Sequence, residues 1–260
     1  MEIVREIVET ALLTGRVSGE DPVGLLLIAE PEHGKTSIVL ERSFSSAVDV
    51  TDATGRGIQE LLKYKPEISH LIFNDLTAIM AHGKTVKAYT ISMINAMTEE
   101  GIRSVAFPGD IQVFENGKRG LIACVTPPMI RDGRAWWNKI GLTTRLVPFF
   151  FRHGSELVLK VKEAIDHEIR YAKPGAFALP KVPIKVPIQE PHLTAIRKMA
   201  DQKAKELGDN TGYRRLKQFR RLAKAHALRR SWKKPMVTFE DTKFLRSIMP
   251  FISYRTAHPL

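Results

Sequence analysis

The sequence predicts an α/β fold, a parallel sheet flanked by helices, followed by a small all-α unit. Short apolar runs of strand length alternate with amphipathic helical stretches between residues 23 and 151, the pattern of repeated βαβ units. The first run passes through a Gly-Lys-Thr turn into a helix. Five prolines at 174, 180, 183, 187 and 191 then end the alternation, and beyond them the apolar spacing is helical throughout.

In order, residues 2–14 place Ile3, Val4, Ile7, Val8, Leu12 and Leu13 at helical spacing before Gly15. Val23–Ala29 is a continuous apolar run, as in a strand buried on both faces, and a helix begins at Thr36. Ala47–Thr51 reads as a short strand, Ile58–Lys63 as a helix and Ile68–Phe73 as a second buried strand after Pro66. A helix over Thr85–Gly101 leads to Arg103–Phe107 and Ile111–Phe114. Glu115-Asn116-Gly117-Lys118 then turns the chain back into Gly120–Val125, a third buried strand. Asn-Gly between alternating runs is a hairpin signal, and it places Lys118 and Arg119 at the tip. Residues 131–145 are polar apart from Trp136 and Trp137, and lead to a fourth buried strand, Leu146–Phe151. A helix over 155–171 closes a core spanning 1–172. The linker spans 173–191, and a basic helical unit occupies 192–260. Its helices cover Leu193–Leu207, Tyr213–Arg230 and a last one reaching about Met249, the last opened by a near capping box of Thr238 and Asp241.

Apolar residues make up 43% of the 260 positions, and no apolar run approaches the ~20 residues needed to span a bilayer. No basic segment followed by an apolar one marks a secretory leader. Cys124 is the single cysteine, so no internal disulfide can form, and a cytoplasmic setting is expected without a membrane partner. Residues 1–180 hold 21 Lys/Arg and 22 Asp/Glu, whereas residues 181–260 hold 19 and 6. The whole excess of positive charge therefore lies in the last 80 residues. It implies either a polyanionic partner, most simply DNA, or a solvated helical face.

The turn after the first strand reads Ala29-Glu30-Pro31-Glu32-His33-Gly34-Lys35-Thr36-Ser37. A phosphate-binding loop has the pattern G-x-x-x-x-G-K-[ST]. Its backbone N–H groups and helix start surround phosphates, the lysine adds a point charge, and the hydroxyl of Thr36 can ligate Mg²⁺. Ala29 replaces the first glycine, which costs little unless that residue needs a positive φ. Glu30 and Glu32 must point away from a polyphosphate. His82-Gly83-Lys84-Thr85 repeats the tetrapeptide with no strand before it, so the strand context decides. The second strand ends Phe73-Asn74-Asp75-Leu76. An acid at the tip of a neighbouring strand would join the Mg²⁺ shell and a second would orient water. With Asn74 first the metal acid is amidated, and with Asp75 first Leu76 replaces the catalytic carboxylate. Either way one carboxylate is missing, which favours binding over brisk hydrolysis.

The order of parts resembles AAA+ ATPases of the branch with a hairpin before sensor 1, such as minichromosome maintenance helicases and MoxR-type ATPases. The similarity spans nearly the whole chain. Ala29–Ser37 resembles Walker A, Leu71–Asp75 a degraded Walker B and Arg103–Arg119 the hairpin, while Arg214–Ala227 and Val237–Asp241 are similar to the lid of the helicases. The resemblance implies ATP and Mg²⁺ as ligands, with Thr126 as sensor 1, Arg145 as an arginine finger reaching a neighbour's γ-phosphate, and Arg214 as sensor 2. Asp75 or Asn74 would serve the metal, and Lys118 and Arg119 would meet DNA in a central pore. It further implies a ring or helical homo-oligomer, hexamer-like. Such an assembly could act on DNA as a motor, helicase-like protein or loader, with a helicase or other remodelled protein as a possible partner. The alternatives are an ATP-gated assembly protein with weak hydrolysis and a MoxR-like chaperone. The family's N-terminal domain has no counterpart here, so a compact ATPase working with partner proteins, compatible with phage or mobile-element origin, is expected rather than a stand-alone helicase.

Overall fold

In a computed structural model of the chain, which describes residues 1–41, 46–107, 110–114, 117–167 and 180–260, six parallel strands form one sheet between two helical layers. The elements are helix α1 (Glu2–Leu13), strand β1 (Gly24–Ile28), α2 (Lys35–Glu41), β2 (Ala47–Asp49), α3 (Gly55–Tyr64) and β3 (His70–Phe73). They continue with α4 (Thr77–Ala81), α5 (Lys84–Glu99), β4 (Ser104–Phe107), β5 (Asp110–Val113), β6 (Gly120–Val125), α6 (Pro127–Lys139) and α7 (Leu142–Arg145). Last come β7 (Leu146–Arg152), α8 (Ser155–Asp166), α9 (His192–Leu207), α10 (Tyr213–Arg230), α11 (Phe239–Ile248) and β8 (His258–Pro259).

The strand order is β2-β3-β6-β1-β7-β8. β3 is therefore not the neighbour of β1, as the sequence reading had it. β6 lies between them, pairing Leu26 with Ala123 on one side and Phe73 with Ala123 on the other. Only a strand apolar on both faces can occupy this central place, and all six residues of β6 are buried. The segment after α11 returns to the sheet and pairs His258 with Phe151 of β7.

Strand side chains alternate between two apolar clusters. Leu25, Leu27, Ile122, Cys124, Val147 and Phe149 join α1, α2 and α9–α11 on one face, whereas Leu26, Ile28, Leu121, Ala123 and Phe150 meet α3, α5 and α6 on the other. The C-terminal helices thus share a core with α1 and the sheet, rather than forming the separate lid expected. The boundary at 172 and the linker residues 173–179 lie outside the described residues. Residues 131–145, read only as polar, form α6 and α7, because Pro127 and Pro128 sit in the first turn, where no N–H partner is lost.

A hairpin lies within the expected stretch Arg103–Arg119, but its paired strands are β4 and β5 rather than a pair across Asn116-Gly117. β4 pairs antiparallel with β5, Ser104 opposite Val113 and Phe107 opposite Asp110, so the chain reverses between 107 and 110. Gly117 packs against Ile102, whose N–H donates to its carbonyl at 3.2 Å. Glu115 and Asn116 of the expected turn lie outside the described residues. Arg119 is buried, donating to the carbonyls of Pro66 at 2.7 Å and Lys118 at 2.8 Å, and Lys118 meets Asp21 at 3.1 Å. Both residues are engaged within the fold, outside the β4–β5 pair.

Candidate functional site

Parallel strands end on one edge, and the loops that follow β1, β3 and β6 meet there. A cavity of about 420 Å³ opens at this edge, lined by Glu32, Gly34, Lys35, Thr36, Ser37, Asn74, Asp75, Cys124 and Thr126 among others. Six of the nine loop residues singled out, with Asn74, Asp75 and Thr126, therefore converge on one place, whereas Ala29, Glu30 and His33 do not line it. His82-Gly83-Lys84-Thr85, by contrast, joins two helices, and Gly83 precedes α5 without any strand.

The loop is shaped by its own contacts. Ala29 is fully buried, its N–H donates to the Val125 carbonyl at 3.3 Å, and its φ is not positive. Alanine thus meets no steric penalty where the pattern has glycine. Lys35 curls into the loop and donates to the carbonyls of Ala29 at 2.6 Å and Glu30 at 2.7 Å. Burial lowers its pKa, opposed by Cys124, Glu30 and Asp75. The Glu30 side chain is exposed, so its carbonyl rather than its carboxylate faces the lysine. Glu32 holds φ 65°, the one positive value at a non-glycine residue among those described. Such backbone strain is characteristic of ligand loops.

Two further groups face the cavity from the sheet. Thr126 precedes α6 in an extended conformation and makes no cap bond with its side chain. Asp75 accepts from the Thr77 N–H at 2.8 Å and from the Thr77 hydroxyl, which ties it to the start of α4. Asn74 donates its amide to the Asp49 carboxylate, and its Oδ1 is buried without a hydrogen-bond partner. A carboxylate only accepts, so the Asn74 amide must turn its NH₂ to Asp49 and leave its oxygen over.

Asp49 and His153 were not singled out in the sequence, and Cys124 was noted only as the single cysteine. Asp49 ends β2, Cys124 lies in β6, and His153 follows β7 and stacks on His33, ring centres 4.3 Å apart. Their common signal is position at the carboxyl end of a strand, which requires the strand order to be known. Burial pushes the Cys124 thiol up to about 12, so it stays protonated and inert.

Arg145 and Arg214 lie elsewhere. Arg145 precedes β7, whose Leu146 pairs with Gly24 at the start of β1, whereas the loop follows the end of β1. The five residues of β1 put about 16 Å between these edges. Arg145 Nη1 donates to the Gly141 carbonyl at 2.7 Å. Gly141 has φ 75°, and a Cβ there would lie 2.2 Å from that same guanidinium nitrogen. Arg214 donates to Glu99 at 3.2 Å and to the Thr144 hydroxyl at 3.1 Å. Both line a small cleft with Asp21, Lys118, Lys217 and Arg221. Burial, then the charge of Arg214, lowers the Arg145 pKa. Two like charges held together on an exposed edge suit an anion brought from outside the chain.

The cations of α10 are largely consumed within the fold. Arg220 and Lys224 meet Glu20 at 3.1 and 2.6 Å, Arg221 meets Asp21, Arg229 reaches Glu6 and Glu9 at 2.9 and 2.7 Å, and Arg230 meets Asp241 at 2.7 Å. His226 sits between Asp241 and Glu6 and stacks on Phe244, a packing role. No protein-family model matches the chain, and no curated protein matches it. No helix among the described residues is long and apolar enough to cross a membrane.

Proposed function

We propose that the chain binds magnesium ATP in the cavity after β1, and that copies of it assemble through an interface at which Arg145 and Arg214 meet a neighbour's nucleotide. The single observation that carries this is the convergence of Pro31, Glu32, Gly34, Lys35, Thr36 and Ser37 with Asn74, Asp75 and Thr126 on one open cavity at the carboxyl edge of a parallel sheet, where ligands of open α/β sheets bind. The residues fit the ligand. Lys35 holds its ammonium among loop carbonyls, the Asn74 oxygen lacks a partner, and the first N–H groups of α2 face the turn.

Lys35 and the loop amides would hold phosphate, Thr36 and Asp75 would serve the metal, and Thr126 would offer a hydroxyl to the phosphate side. Magnesium needs only one or two carboxylates beside phosphate and water. Bound there, ATP would supply a γ-phosphoryl group for transfer to water. Asp75 is tied to Thr77, and the second carboxylate nearby, Asp49, reaches the site only through Asn74. The remaining carboxylate among the described residues that line the cavity, Glu32, sits exposed on the loop rather than at a strand tip, which supports slow turnover and a nucleotide-gated assembly with weak hydrolysis. A DNA motor pulling through Lys118 and Arg119 is disfavoured by the burial of Arg119 and the pairing of Lys118 with Asp21. The AAA+ resemblance is supported by the same arrangement, with both arginines acting on a neighbour.

Calorimetry with magnesium ATP tests the reading. Wild-type protein should give saturable heat and Lys35→Ala at least a tenfold weaker response with an unchanged circular dichroism spectrum. Absence of heat from the wild type at any protein concentration would sink the proposal.

A further inference from the structure

We infer that the loop joining α10 to α11, residues 231–238, together with Phe239 is a docking site for single-stranded DNA. Within nine residues the chain exposes Trp232 at 43%, Met236 at 41% and Phe239 at 58%, interleaved with the exposed Lys233 and Lys234. Exposed aromatic and large apolar side chains this close together are uncommon on a solvated surface. Flat rings spaced by cations match the two demands of an unpaired strand, bases that stack and phosphates that need neutralising.

Two further observations separate this loop from an ordinary charged turn. The neighbouring cations of α10 are spent on Glu6, Glu9, Glu20, Asp21 and Asp241, whereas Lys233 and Lys234 have no acidic partner among the described residues. The loop's base is also fastened. Val237 is buried and its N–H donates to the Pro187 carbonyl at 3.1 Å, while Arg230 reaches the Thr238 hydroxyl at 2.9 Å and Asp241 at 2.7 Å. Pro235 fixes φ within the tip. The tip is thus held in place before a partner arrives, which lowers the cost of ordering it on binding.

Glu240, exposed beside Phe239, adds its charge next to Arg230 and leaves the lysine end of the loop positive. An anionic membrane is less well matched, since the apolar groups alternate with lysines in a short loop rather than forming one face of a helix. RNA is distinguished through its 2′-hydroxyl. Between 231 and 239 the polar oxygens on side chains are the Ser231 hydroxyl and the Thr238 hydroxyl, the latter already engaged by Arg230, so the loop has little with which to select RNA and the proposal commits to DNA.

The experiment is fluorescence anisotropy of a labelled oligothymidine of about 20 nucleotides on the full chain, without ATP, at about 50 and about 200 mM salt. Binding should fall steeply with salt. Trp232→Ala should weaken it about tenfold through loss of a stacked base, with Trp232→Phe retaining most of it. The double variant Lys233→Ala, Lys234→Ala should flatten the logarithmic salt slope by about 1.4. All of these side chains are exposed, and circular dichroism checks that the fold is kept. No binding by the wild type, or unchanged binding by Trp232→Ala, overturns the inference. So does tighter binding of the matching oligouridine, or Trp232-dependent capture by phosphatidylserine and phosphatidylcholine vesicles without oligonucleotide binding. The readout needs no nucleotide, so its failure and failure of the ATP reading are told apart.

Discussion

At the scale of single residues, burial decides which titratable groups act and which are structural. His70 is fully buried in β3, and burial pushes its imidazole down to about 4. An unfolded histidine titrates near 6.5, so between these values the unfolded chain binds the extra proton. The stabilisation is complete above pH ~6.5 and is lost as pH falls to ~4, amounting to about 3 kcal/mol. His226 has the opposite sign. Its burial is outweighed by Asp241 and Glu6, its pKa is raised, and its contribution is present below pH ~6.5 and lost as pH climbs through the raised value. Urea midpoints between pH 4 and 8 should separate the two. His70→Met should flatten most of the acid-side loss, and His226→Gln should flatten the alkaline side. The histidines are visible in the sequence, but their opposite behaviour is not. It depends on what the fold places around each ring.

Among the elements, the first turn of α10 is the one that organises others. Arg215 is 1% exposed and pairs with Asp209 at 2.6 Å, donates to the carbonyls of Leu146 at 2.8 Å and Thr143 at 3.3 Å, and meets Gln218 at 2.9 Å. Gln218 in turn donates to the Arg145 carbonyl at 2.9 Å, and the Tyr254 hydroxyl donates to Thr143. The backbone on both sides of Arg145 is therefore gripped by α10 and by the chain after α11. Arg215→Met should cost about 3–5 kcal/mol, because it strands Asp209 beside buried carbonyls, and should be read as a lowered urea midpoint. The helical period of α10 was legible from 213 to 230, as were β6 and the capping box of α11. Local spacing dictates these. The strand pairing was misread because the Asn116-Gly117 rule is local, whereas β5 finds its partner in β4 and β6 pairs with β1 and β3, and Gly117 is required for its close approach to Ile102.

On the scale of the whole molecule, charge and chemistry divide between the two edges of the sheet. α10 begins at the edge that holds Arg145 and ends near Glu6 of α1, and α1 starts where a Cβ on Gly34 would meet the Met1 methyl at 3.2 Å. One helix of 18 residues thus runs from the arginine edge along α1, and the length of β1 sets the two edges about 16 Å apart. Arg145 and Arg214 cannot serve their own loop at this separation, so under the proposed assembly they complete a neighbour's. Mixing equal amounts of Lys35→Ala and Arg145→Ala proteins should leave about a quarter of interfaces intact. ATP-dependent assembly or turnover should then exceed that of either protein alone. No recovery on mixing would place Arg145 outside the nucleotide chemistry.

The amino-acid order alone settled the α/β class, the turn between the first buried strand and its helix, and most helix limits, because each depends on spacing within a few residues. Long-range pairing was needed for the rest. Only that pairing inserted β6 between β1 and β3, set Asp49 against Asn74, and drew Glu6, Glu9, Glu20 and Asp21 onto α10. The excess of C-terminal positive charge was therefore counted correctly from the sequence. How much of it remains available to a partner depended on acids more than 180 residues away along the chain, brought close because α1 and α10 bury their apolar faces in the same core.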